Sequence, residues 1–148
     1  GLLTWENWFE IPRVKLSLIA NEILDAKISQ FCQIEDPSLS KYLKTLQCYS
    51  THVPFSRFYE YKYVINIDGN CCAWNSMFKK LKSNSIVLHV ESNQVQWYYH
   101  LLEPWTHYIP VKSDLSDIFD KINWCINNDS LCKQISQNAK SLMETIVY

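Results

Sequence analysis

The sequence predicts an α/β protein, a Rossmann-like three-layer domain with a mostly parallel sheet. Two apolar runs, Tyr63-Val64-Ile65-Asn66-Ile67 and Ser85-Ile86-Val87-Leu88-His89-Val90, have the nearly continuous hydrophobicity of strands buried on both faces. Segments with apolar residues at helical spacing separate and follow these runs. Turn and capping residues stand at the junctions, as strand–helix alternation requires.

The elements follow in chain order. Pro12 suits the first turn of a helix carrying Val14, Leu16, Ile19 and Ile23 on its apolar positions, with a break near Asn21. A short strand is expected through Asp25-Ala26-Lys27-Ile28-Ser29. Asp36-Pro37-Ser38 is a helix-start signal, and Leu39, Tyr42, Leu43 and Leu46 keep the helical period after it. A loop containing Pro54 leads to the first apolar strand, which ends at Asp68. Met77-Phe78-Lys79-Lys80-Leu81 reads as the body of the next helix, with its lysines on the solvated side, and the second apolar strand comes after it. Residues 95–102 form an aromatic helix or helical turn stopped by Pro104. His107-Tyr108-Ile109-Pro110-Val111 is a third, short strand with Pro110 near its end. Asp114 is the expected N-cap of a helix bearing Leu115, Ile118, Phe119, Ile122 and Ile126. Asn128-Asp129 breaks it, and a last amphipathic helix carries Leu131, Ile135, Leu142, Met143 and Ile146.

Composition narrows the functional classes. At 148 residues the chain is one ordinary domain, expected to form a single compact unit that buries roughly 70% of its unfolded surface. A net charge of -1 leaves no basic footprint for nucleic acid. The six cysteines form no C-x-x-C pair and no zinc spacing, so no metal site is expected. They read as small buried hydrophobes, with one or two disulfides of a secretory compartment as the alternative. No apolar stretch is long enough to span a bilayer and no signal-peptide pattern is present. The chain begins without methionine, and is expected to be a mature product, a domain or a fragment lacking an N-terminal partner.

The chemistry concentrates where the first strand meets the following helix, at Asp68-Gly69-Asn70-Cys71-Cys72-Ala73-Trp74-Asn75. In an open α/β sheet, ligands bind beyond the carboxyl ends of the strands, where a helix N-terminus offers unpaired N–H groups to an anion. The small side chains of Cys71, Cys72 and Ala73 permit close approach of a phosphate. The alternative is an ordinary tight turn at Asp68-Gly69 with Asn70 capping the helix.

Three segments together resemble a known family: 62–69, 85–89, and above all Leu102-Glu103-Pro104-Trp105-Thr106-His107-Tyr108-Ile109-Pro110-Val111. The chain is similar over nearly its whole length to glycosyltransferases of the CAP10 or protein O-glucosyltransferase type, family 90. Pro12-Arg13-Val14-Lys15-Leu16, Leu24-Asp25-Ala26-Lys27 and Asp114-Leu115-Ser116-Asp117 fit the same family in the same order. The resemblance implies the C-terminal, donor-binding half of a two-domain GT-B enzyme. Such an enzyme moves glucose or xylose from UDP-glucose or UDP-xylose to a protein or glycan hydroxyl with inversion. It implies no metal and no cofactor beyond the donor, an aspartate base in a missing N-terminal domain, and residence in the endoplasmic reticulum lumen or secretory pathway. No residue here matches that base, so the fragment alone is expected to be inactive. Tyr148 ends the chain without a retention tetrapeptide, so the compartment rests on the resemblance.

On this resemblance the donor contacts are Asp68, Gly69, Asn70, Cys71, Cys72, Ala73, Asn75, Lys79 and Gln96; His89 joins them because it ends a strand on the same sheet edge as Asp68. Asn75 stands where relatives carry a diphosphate-pairing arginine, and Gln96 where they often carry a ribose-binding glutamate. Both changes remove a charge. Lys79, one turn after Asn75, is the candidate to restore it by reaching back toward the phosphates. A degenerate, non-catalytic binding domain is the alternative to the enzyme. His107 and Tyr108 could face the cleft, although histidine beside aromatics is more often structural. Trp97, Tyr98, Tyr99 and Trp105 read as core more readily than as a stacking platform.

Overall fold

The structure, a computed structural model, describes residues 2–69 and 75–146. The expectations placed on Asn70, Cys71, Cys72 and Ala73 therefore lie outside the described residues. Where the sequence reads as a single unit, the contacts gather into two, Gly1–Pro54 and Phe55–Tyr148. The physical reason is that separate apolar clusters form, one inside each unit.

In the first unit, helix α1 spans Pro12–Leu18 and helix α2 spans Pro37–Leu43. Pro12 starts α1 at a position where its missing N–H costs nothing. The helix ends before Ile23, which is 59% exposed rather than part of the apolar face. Asn21 Oδ1 accepts from the Ile23 and Leu24 N–H groups and turns the chain away. At α2, Asp36 Oδ1 caps the Ser38 N–H at 2.8 Å, while its Oδ2 accepts from Trp5 Nε1. Leu3, Val14, Leu39 and Leu43 form the core of this unit. The strand expected at 25–29 is absent as an element: Ile28 alone makes a parallel bridge, to Tyr49. With Lys27 exposed and its Nζ donating to the Gln47 carbonyl, one apolar side chain is too little to anchor a ladder.

The second unit opens with a 3-10 helical stretch, Phe55–Glu60, in a region read from sequence as loop. Strand β1 (Tyr63–Asn66), helix α3 (Asn75–Leu81), strand β2 (Ile86–Val90), a 3-10 turn (Tyr99–Leu101) and strand β3 (Ile109–Val111) follow. The three strands pair in the order β1-β2-β3, all parallel, which meets the Rossmann-like α/β expectation. β2 is central and buried at all five positions, matching its unbroken apolar run. The Val111 carbonyl accepts from Glu91 N–H, so the alternate residue Pro110 faces away from β2, where no ladder donor is required of it. Val64 and Val87 pack with Met77, Phe78 and Leu81 of α3, and with Ala139 and Met143 of the last helix.

The predicted helix from Asp114 begins later, as α4 (Ile118–Asn127). Residues 114–117 form a turn instead: Leu115 has φ 65°, Asp114 Oδ1 accepts from Ser116 N–H, and Asp117 Oδ1 accepts from Lys112 N–H. Asn128 separates α4 from α5 (Asp129–Thr145), as the sequence predicts.

Candidate functional site

Parallel pairing sets Asn66, at the end of β1, beside His89 on β2. Together with Asp68 and Lys80, these make four polar residues, each no more than 8% exposed, around the carboxyl ends of the strands. Burial on this scale demands partners. Lys80 Nζ donates to the Ile65 carbonyl at 2.8 Å, and Asn66 Oδ1 lies 3.5 Å from the same ammonium. Ile65 O is free to receive it because the Lys62 carbonyl, three residues earlier, is the one turned toward β2.

With its oxygen toward Lys80, Asn66 presents Nδ2 to His89 Nδ1 at 3.1 Å. The amide can only donate, so His89 is neutral with its proton on Nε2. Burial pushes the His89 pKa below its ordinary value, opposed by the nearby Asp68 carboxylate. The ring sits edge-on to Tyr99 and Tyr108, with centroids 5.6 and 5.3 Å away. Ser92 Oγ donates to Asp68 Oδ2 and accepts from Gln94 N–H, so the carboxylate latches the segment after β2 to the end of β1.

Asn75 opens α3 and is exposed, with Lys79 one turn on. Both line a groove of about 630 Å³ that also takes in Tyr59, Phe78, Lys82 and Lys140. Lys79 Nζ lies 5.4 Å from the Phe55 ring. Of the ten expected donor residues the structure describes six and brings four of them into two groups, Asp68 with His89 and Asn75 with Lys79. Gln96 joins neither by a described contact; its Nε2 is buried without a hydrogen-bond partner among the described residues, and its carbonyl accepts from Tyr99 N–H. Gly69 follows Asp68 and is exposed.

Lys80, Asn66 and Ser92 escaped the sequence reading. Lys80 reads with Lys79 as solvated in the sequence, and is instead 7% exposed. The signal was available: it stands three residues after Met77 and beside Leu81, inside the apolar arc of α3. Asn66 likewise shares the inward face of β1 with Val64.

His107 is structural. Its Nδ1 accepts from Glu103 N–H at 3.0 Å and its own N–H donates to the Glu103 carbonyl, while burial lowers its pKa. Of the aromatic cluster only Tyr98 is fully core; Trp97 is 55% and Trp105 42% exposed, a correction to the core reading of both. Trp105, at φ 64°, packs edge-on to Trp124 at 4.9 Å and under Lys121 Nζ at 4.5 Å. Cys48, Cys125 and Cys132 are buried free thiols and Cys32 is an exposed one; Cys71 and Cys72 lie outside the described residues. Among the described residues no group of three His, Cys, Asp or Glu is placed to hold a metal ion, and no helix is long and apolar enough to cross a membrane.

A family model described as Glycosyl transferase family 90 matches residues 11–147. Protein O-glucosyltransferase 2 of Danio rerio is 35% identical over 133 residues, covering 89% of this chain and 25% of its own length. Protein O-glucosyltransferase 3 of Homo sapiens is 32% identical over 136 residues, covering 90% and 25%. Uncharacterized protein 035R of Invertebrate iridescent virus 3 is 32% identical over 164 residues, covering 98% of this chain and 14% of its own. The chain spans a quarter or less of the length of these relatives. With this match over all but the first ten residues and the last, the chain belongs to glycosyl transferase family 90.

Proposed function

We propose that this chain is the donor-binding half of a GT-B, inverting glycosyltransferase that moves a sugar from UDP-glucose or UDP-xylose to a protein or glycan hydroxyl. The observation that carries the reading is the placement of Asp68 and His89 at the carboxyl ends of adjacent parallel strands in a family 90 chain, where such sheets take ligands. The names of the relatives, protein O-glucosyltransferases, favour glucose as the sugar and protein as the acceptor.

Two tasks belong to such a reaction: removal of the acceptor proton and stabilisation of the departing UDP. This chain takes the second. On this reading residues 69–74 take the diphosphate, Lys79 supplies the charge that Asn75 lacks, and Gln96 meets the ribose. Asp68 holds the rim of the site through Ser92, and His89 contributes an Nε2–H donor. The first task falls to a carboxylate in an N-terminal half, and no metal or further cofactor is called for. Residence in the secretory pathway follows from the same reading.

Isothermal titration of the chain with UDP tests it. A saturable heat that Lys79→Ala weakens supports the reading, and no heat at millimolar UDP overturns it. A second reading, a non-catalytic relative that keeps the architecture without turnover, is favoured by the neutral Asn75 and Gln96. Binding of UDP-glucose without transfer, measured on the chain joined to an N-terminal half, would select that second reading.

A further inference from the structure

We infer that Cys125 and Cys132 are a disulfide-forming pair, a modification site that cross-links α4 to α5 when the chain folds in the presence of a disulfide oxidant. In the structure both are free thiols, each fully buried. Seven positions apart on one continuous helix, their Cα atoms would stand about 10.5 Å from each other, beyond the roughly 7 Å that a disulfide can span. The break at Asn128 removes that obstacle. Asn128 N–H donates to the Cys125 carbonyl at 3.3 Å, its Nδ2 donates to the Trp124 carbonyl at 2.8 Å, and Cys132 N–H donates to the Asn128 carbonyl at 3.0 Å. The turn so fixed brings Cys132 Sγ to 3.6 Å from the Cys125 carbonyl, and the two thiols hydrogen-bond to each other. Cysteines serving only as small apolar side chains need no such mutual approach.

The bridge forms by exchange with a low-molecular-weight disulfide, such as glutathione disulfide. One cysteine thiolate attacks the S–S bond of the oxidant, giving a mixed disulfide and releasing one glutathione thiolate. The other cysteine thiolate then attacks the protein sulfur of that mixed disulfide, forms the bond between residues 125 and 132, and releases the second glutathione. The two cysteines give up two electrons and two protons, and one glutathione disulfide becomes two glutathione thiols. Once the chain is folded, burial holds the Cys125 thiol up at about 12 and little thiolate is present to attack. The exchange therefore belongs to the folding chain, where the thiols still ionise in their ordinary range.

The cross-link would act on the sheet through β1. The Cys125 carbonyl also accepts from the Tyr63 hydroxyl at 3.3 Å, and Asp129, between the two cysteines, pairs with Lys62. Lys62 and Tyr63 stand at the amino end of β1, opposite the end that leads to Asp68. A bond between residues 125 and 132 thus fastens the α4–α5 junction that holds this end of the sheet, away from the donor edge. Only the oxidising compartment rests on the glycosyltransferase reading; the pairing itself does not.

Refolding the full chain from denaturant in a glutathione–glutathione disulfide buffer, then alkylating the remaining thiols in denaturant and mapping peptides by mass spectrometry, is the test. Cleavage before Asp129 separates the two cysteines, so the expected product is a peptide pair joined between Cys125 and Cys132 that reduction splits. The bridged chain should melt at least about 5 °C above the same chain kept reduced, because the cross-link removes freedom from the unfolded state. Cys125→Ala and Cys132→Ala should each abolish that difference between oxidised and reduced melts. The inference is overturned if both thiols are alkylated after oxidative refolding, or if either cysteine is joined mainly to another. It is equally overturned if the bridged chain melts no higher than the reduced one, or if the difference persists in either variant. The mapping uses the parent chain alone, so it decides the pairing even where a variant fails to fold. A bridged chain that gives no heat with UDP would sink the donor reading and leave this one standing.

Discussion

Asn66 couples Lys80 to His89, because its amide oxygen faces one and its amide nitrogen the other. Lys80→Ala would strip the donor from the Ile65 carbonyl and leave Asn66 half satisfied in a buried place. A loss of about 2 kcal/mol is expected from the lost hydrogen bonds, measured by urea unfolding. His89 makes the same layer sensitive to pH. Its pKa is held below the ordinary 6.5 mainly by burial. The unfolded chain therefore takes up a proton first, so the stability contributed by neutral His89 is complete above about pH 6.5 and is lost as pH falls below it. Thermal melts between pH 7.5 and 5 should show this decline, and His89→Gln should flatten part of it. The remainder belongs to His107, whose pKa burial also lowers. Asp68 and His89 were legible as candidates because each ends a strand pattern. Lys80 was not, since a lysine on a helix is solvated by default and only its carbonyl partner across the turn reverses that.

At the scale of elements, α5 anchors the sheet through Ala139 and Met143, both essentially inaccessible. Met143→Ala should cost about 3 kcal/mol in thermal or urea unfolding, through lost burial and the cavity left behind. The α4–α5 junction buries two thiols, with Cys132 Sγ 3.6 Å from the Cys125 carbonyl. Burial pushes the Cys125 thiol up to about 12, so little thiolate exists near neutral pH. Native-state alkylation read by mass spectrometry should modify exposed Cys32 and spare Cys125 and Cys132 until denaturant is added. Helix starts show how far local pattern reaches. Asp36 caps α2 as read, because Pro37 and Ser38 leave its carboxylate a free N–H to accept. Asp114 does not cap a helix, because burial of both Leu115 and Ile118 is met by a positive φ at Leu115, which postpones the helix to Ile118.

Across the whole molecule, each unit has its own apolar cluster, one built on Leu39 and Leu43 and the other on Val64, Val87 and Met143. A chain trimmed to residues 55–148 should therefore keep a cooperative melt by circular dichroism; a broad, non-cooperative one would show that the first unit is needed for folding. The motif 102–111 illustrates the division of information. Its length made the family legible, while its physical work appears only in space: Trp105 N–H donates to the Tyr108 carbonyl, His107 closes on Glu103, and Asn138 of α5 donates to the Thr106 carbonyl. By itself the sequence determined the α/β class, the position of each strand of the sheet, to which it added one at 25–29 that does not form, and the family, since apolar period and long motifs are local records. Tertiary structure alone decided which polar residues are buried and with whom. It placed Lys80 and Asn66 behind the site, left Trp97 and Trp105 at the surface, and gathered Lys79, Lys82 and Lys140 around one groove. Those outcomes depend on desolvation and on partners distant in sequence, which no local pattern records.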